Sequence, residues 1–259
     1  MLDGSLVLLG TTIIVSLSAT ALFFLFLVRR FVLPRMRVTE ADSEFSGAVV
    51  QSIMVFYGLA LALIAVNVWQ TYNDVSKTIS LEATSFATLY RDVSGYPEPI
   101  RSGLQGQIRG YVAQIINEAF PLMRKGEVPT RGVDWMNQVQ GLLMSFEPAT
   151  EGQKLLHAET LAAYNRAVLA RRLRVDAVGN GLPGIMWVII IVGAMISISA
   201  CYFFRVEDPW LHSILVVLLT VLIGLVIAMT VAMSHPFRGD IGLNADPYQL
   251  VYDQLMKPK

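Results

Sequence analysis

Apolar residues gather in four uninterrupted runs, 6–28, 48–69, 185–204 and 211–233, and none of them contains Asp, Glu, Lys or Arg. Each run holds roughly 20 residues, enough to cross about 30 Å of hydrocarbon at about 1.5 Å rise per residue. A buried helix of a water-soluble protein of that length keeps a polar stripe toward solvent, and these runs keep none. The pattern predicts an all-α membrane protein with four transmembrane helices in two hairpins and a helical extramembrane domain inserted between spans 2 and 3. The expected divisions are 1–72 for the first hairpin, 73–182 for the helical domain, 183–234 for the second hairpin and 235–259 for a C-terminal tail. The first run has no basic segment before it and ends in Arg29-Arg30 rather than a small-residue cleavage site, so it reads as a retained span.

Between spans 2 and 3 the period of apolar positions changes to that of amphipathic helices. Val75, Ile79, Phe86, Leu89 and Val93 follow 4-and-3 spacing, with Glu82 on the same seam. That register extends backwards through Tyr72, Val68, Ala65, Leu61, Gly58 and Met54, which predicts that the second span continues beyond the bilayer as one long helix. Pro97 and Pro99 favour a new helix start, followed by a stripe from Ile100 to Ala119 that should stop at Pro121. A third helix carries Trp135, Met136, Val139, Leu142, Leu143 and Phe146, ending before Pro148. Thr150 with Gln153 is a capping box that opens a fourth, on which Leu155, Leu161, Val168 and Leu173 are the expected apolar positions. In the tail, Asp246-Pro247 reads as a cap and first turn, leading into Tyr248, Val251, Tyr252 and Leu255. No alternating strand pattern occurs.

Charge narrows the classes. Twenty basic residues balance twenty acidic ones, so no basic face is implied that would track nucleic-acid phosphates. Arg29, Arg30, Arg35 and Arg37 follow the first span, which taken alone puts that link in the cytoplasm and the helical domain outside. Arg166, Arg171, Arg172, Arg174 and Arg238 stand on the opposite side, and the two faces come out nearly level. The side of the helical domain is therefore left open. Cys201, the single cysteine, lies in the third run and forms no intrachain disulfide.

No phosphate-cradling loop, nucleophile elbow or paired Cys/His spacing is present, and the three histidines are scattered. The chain is expected not to be an enzyme, and no metal or cofactor is expected. With no ionisable group at depth in a span, a proton-coupled transporter is disfavoured as well. Three groups of residues remain as candidates. Gln51, Gly58, Ala62, Ala65 and Trp69 share a face of the second span, and with Leu61 they are the pore-lining candidates; close helix packing is the competing and more common use of such small residues, for Gly58 with Ala62 as for Gly193 with Ser197 and Gly224 with Ala228. Glu82, Asp92, Arg171, Arg172 and Arg174 form a candidate extramembrane charge network, either internal ion pairs or an electropositive ring that concentrates anions. His235-Pro236-Phe237-Arg238-Gly239-Asp240 follows the last span, where Gly239 permits a positive φ and the segment either pins itself to the helical domain or binds a ligand.

These same residues carry a resemblance. Glu82 with Tyr90-Arg91-Asp92, the Arg171-Arg172-Leu173-Arg174 run, Leu182-Pro183 with Trp187, and His235-Pro236-Phe237-Arg238-Gly239-Asp240-Ile241 resemble an uncharacterised family of bacterial four-span membrane proteins described as bestrophin-like. The Pro-Phe-Arg-Gly-Asp element is the most specific part; His235 stands where family members often carry Arg. The layout is similar to that of bestrophins, pentameric anion channels whose second span lines the pore and whose soluble block is cytoplasmic. The resemblance implies a homo-oligomeric, anion-conducting channel in the bacterial inner membrane, in contact with the lipid bilayer. The alternative is a non-conducting sensor or scaffold whose helical domain and tail bind a protein partner.

Overall fold

The computed structural model describes residues 6–35, 40–204, 206 and 208–257, and the side chains within it except those of 40–46. Arg37 and Arg205 lie outside the described residues. The described residues form helices α1 (Leu6–Leu27), α2 (Glu40–Asp92), α3 (Ile100–Gln114), α4 (Phe120–Lys125), α5 (Gly132–Met144), α6 (Glu151–Asp176), α7 (Gly184–Tyr202), α8 (Pro209–Met233) and α9 (Asp246–Val251), with no strand among them. Four of these helices are long and apolar enough to cross a membrane. The chain divides into two compact units: one built from the segments up to Gln70 and Gly181–Ser234, the other from Thr71–Asn180 and the segment from His235 onward. The long-helix expectation is met, since α2 is a single 53-residue helix contributing to both units.

In the first unit the close backbone pairs are α1 with α8 and α7 with α8. Spans 1 and 2, adjacent in sequence, are not among these closest backbone pairs. The reason lies in complementary surfaces. Gly224 of α8 lets the helix seat against Ile14 of α1, where an added Cβ would meet the Ile14 Cγ1 at 2.9 Å. Close by, Ser18 and Thr220 hydroxyls hydrogen-bond at 2.9 Å. Gly193 of α7 leaves room for the ring of Tyr57 on α2, whose hydroxyl donates to the Ile190 carbonyl at 3.0 Å. Small residues here do what they commonly do between membrane helices, permitting close approach. Gly224→Val is accordingly expected to lower the unfolding temperature in detergent, by overpacking worth about 1–3 kcal/mol.

The second unit is a helical bundle whose core includes Ile79, Phe86, Leu104, Ile108, Met123 and Leu143. The stripe that starts at Ile100 does not stop at Pro121 but continues to Lys125. Residues Ile115–Ala119 take one wide π turn, which shifts the hydrogen-bond pattern and brings Pro121 into the first turn of α4, where a missing amide hydrogen is tolerated. Gly126, at φ +79°, then closes that helix, and Glu127 donates back to Leu122 at 3.0 Å. Thr150 caps α6 as its sequence indicates, its side chain accepting from the Gln153 amide at 3.2 Å. The buried stripe of α6 differs from expectation: it is Thr160, Ala163, Tyr164, Ala167, Ala170 and Arg174, while Leu155 and Leu173 are exposed. Leu161 and Val168, also expected, are half-buried and do pack against the core, while the alanines let α6 approach its neighbours closely.

Candidate functional site

The membrane part of α2 has two unlike faces. One packs within its own chain through Leu61, Ile64 and Val68 against Ile190. On the other, Gln51, Gly58, Ala62 and Trp69 are exposed and Ala65 is half-buried. Leu61, grouped with these as a pore-lining candidate, lies instead on the packed face, only 6 % exposed and on the same side as Ile64 and Val68. Glycines distinguish packing from availability. Gly193 and Gly224 are filled by neighbouring side chains, whereas a Cβ on Gly58 would meet nothing within 4 Å. The small face at Gly58 and Ala62 is therefore not used for packing within the chain. It carries no formal charge, and its ends are marked by the amide of Gln51 and the ring of Trp69.

The five charged candidates do not form one network. Glu82 and Arg174 make a bidentate pair at the centre of the helical unit, with Nε to Oε2 at 2.6 Å and Nη2 to Oε1 at 3.1 Å. Their side chains are 0 % and 1 % exposed. Nη1 points at the Met123 sulfur at 3.3 Å, and the guanidinium lies 5.8 Å from the ring centres of both Phe120 and Tyr248. Burial works against the Arg174 cation, but the Glu82 carboxylate beside it outweighs that and raises its pKa. Burial and then the Glu82 charge push the Tyr111 and Tyr248 hydroxyls up, so both remain neutral next to the pair. Charge at this centre is thus compensated within the pair.

Asp92 stands apart: burial and Glu159 raise its pKa, and Arg166 partly offsets them. Arg171 lies over Gly132 beside Tyr111, and Arg172 is exposed. Within the chain these residues do not gather into one electropositive cluster.

The segment after α8 is part of the core of the helical unit rather than a separate tail. Phe237 is buried edge-on to Phe120 at 6.1 Å, and Phe120 in turn meets Tyr248 at 5.7 Å. Gly239 takes φ +73°, and the turn closes through the Leu243 amide donating to Pro236 at 2.8 Å. The Arg238 guanidinium covers Gly126, where any Cβ would overlap it. Tyr72 of α2 donates to the Ile241 carbonyl at 2.6 Å. Burial and Arg238 hold the His235 imidazole below its ordinary pKa. Pinning, one of the two uses open to this segment, is what these contacts accomplish. The aromatic and sulfur neighbours of Arg174 were not marked out by sequence; Phe120, immediately before a proline, and Tyr248, on a short amphipathic stretch, carried the only signals. Among the described residues no cluster of His, Cys, Asp and Glu is placed to hold a metal ion.

Four apolar helices joined to a helical bundle make this a multi-pass membrane protein. A family model for the bestrophin-like domain matches residues 15–248, nearly the whole chain, and the protein belongs to the bestrophin-like family. No curated protein and no solved structure matches it.

Proposed function

We propose that this chain is a subunit of a homo-oligomeric ion channel, conducting anions, with the exposed face of α2 toward the symmetry axis. The observation that carries this reading is the small, uncharged face at Gly58 and Ala62, which the subunit leaves unpacked while its other small-residue faces are filled. Family membership supports it, since the family takes its name from channels. An apolar constriction on this face gates by dewetting and needs no charge within the membrane. Outside the spans, Leu81, Leu169 and Leu173 are exposed on α2 and α6, apolar surface suited to neighbouring subunits. The function needs no catalysis, cofactor or metal.

Two substitutions separate this role from simple packing. Gly58→Val and Ala62→Glu are expected to change anion flux several-fold in proteoliposomes while leaving the unfolding temperature within the range of surface substitutions, about ±0.5 kcal/mol. Native mass spectrometry of the intact chain is expected to give one closed-ring stoichiometry, a pentamer by analogy with bestrophins. A monomer together with unaltered flux at both positions would sink the proposal.

The second reading, a non-conducting sensor or scaffold, draws on the exposed Leu155 and Leu169 of α6 as a partner surface. Within the Pro-Phe-Arg-Gly-Asp segment, Phe237 is taken up by the core, which leaves the exposed Gly239 and Asp240 as its accessible part.

A further inference from the structure

We propose that the cleft between the end of α1 and the start of α8 holds an anionic phospholipid, its phosphate on Arg29 and Arg30 and its acyl chain along Leu22 and Phe26. The cleft has a volume of about 320 Å³, and its wall is divided by chemistry: Leu22, Leu25 and Phe26 on the side of the apolar span, Arg29, Arg30 and Ser213 at the polar end. It lies where the charge-free run of α1 gives way to arginine, the level of lipid headgroups. Phe31 and Trp210, both exposed, mark the same level.

Arg29 is built into this site rather than hanging from it. One of its terminal nitrogens donates to the Val206 carbonyl at 3.2 Å, and the other meets His212 Nδ1 at 3.4 Å. His212 is buried, and its Nε2 lies 3.0 Å from the Cys201 carbonyl. These contacts assign the ring hydrogen to Nε2, leaving Nδ1 to accept from Arg29. The guanidinium is thereby oriented with N–H groups to spare. Arg30 is exposed beside it, and among the described residues neither arginine pairs with a carboxylate. Two arginines with no carboxylate partner among the described residues, set against an apolar wall at the bilayer edge, match a headgroup phosphate joined to an acyl chain better than either a free anion or a neutral lipid. The site stands independently of conduction.

The test is retention of lipid by the full chain. The protein is placed in nanodiscs of equal phosphatidylglycerol and phosphatidylcholine, transferred to mild detergent and weighed by native mass spectrometry. Phosphatidylglycerol is expected to remain bound in preference, and Arg30→Gln, at an exposed position, to reduce it about fivefold. Arg29→Gln with Arg30→Gln should abolish the preference, and Arg101→Gln, an exposed arginine on α3, should leave it intact. Leu22→Trp, which fills the apolar side, should weaken retention without removing charge. Equal retention of phosphatidylcholine, or unchanged phosphatidylglycerol in Arg30→Gln, overturns the proposal. So does ready displacement by excess inorganic phosphate, which would make the site one for free anions.

Discussion

Arg174→Met is expected to destabilise the helical unit by about 3–5 kcal/mol, because it leaves the Glu82 carboxylate buried with no cation beside it. Glu82→Leu should cost a similar amount for the converse reason. The geometry gives both changes their size: two hydrogen bonds of 2.6 and 3.1 Å join groups that solvent does not reach. Neither partner can turn outward, since Glu82 lies on the core seam of α2 and Arg174 is enclosed by Met123, Phe120 and Tyr248. The double variant Glu82→Leu with Arg174→Met should recover most of the loss, as replacing a buried pair by apolar side chains of similar volume is often close to neutral. Thermal unfolding in detergent, followed by circular dichroism, distinguishes the cases. Additive losses in the double variant would mean that the two residues act separately, contrary to their bidentate contact.

Truncation after Ser234 is the second large effect expected. It removes Phe237, Tyr248 and Met256, each no more than 2 % exposed, from one contiguous core. Burying a large apolar side chain contributes about 1.5–3 kcal/mol, so losing three approaches the whole stability of an ordinary domain. The truncated chain should lose the protease resistance of its helical unit. Phe237→Ala alone should cost about 3–5 kcal/mol, with Arg238→Ala milder, since that side chain covers Gly126 at the surface. A truncated chain that unfolds at the same temperature as the full one would reduce the segment to an appendage.

Much of the fold was legible because a bilayer imposes a coarse rule: each long charge-free run lies in a helix long and apolar enough to cross it, the third and fourth matching their helices within about two residues while the helices holding the first two continue beyond the runs. The seam from Leu61 to Val93 was legible too, since one helix kept its period across the change of surroundings. Partnership between spans was not. Charge-free helices give no periodic clue to which face meets which neighbour, and only the fit of Gly224 to Ile14 and Gly193 to Tyr57 decides it. For the same reason the small face at Gly58 looked like those at Gly193 and Gly224, and only the structure separates the filled from the open. Leu61 shared the pattern and proved to be a packing residue. On α6, leucine drew attention that alanine deserved, because hydrophobicity does not report how closely two helices approach. Pairing of Glu82 with an arginine of the 166–174 stretch was foreseeable from the cost of a lone buried carboxylate. The choice of Arg174 over Arg171 and Arg172 was not, since it depends on which side of α6 faces the core.

Anion flux through the reconstituted protein tests the central claim most directly. The purified chain in liposomes loaded with chloride should dissipate a chloride gradient faster than protein-free liposomes do, with Ala62→Glu altering the rate and Gly224→Val acting only through stability. A rate equal to that of protein-free liposomes, from folded wild-type protein, would contradict the channel and leave the exposed α2 face to lipid or to a partner.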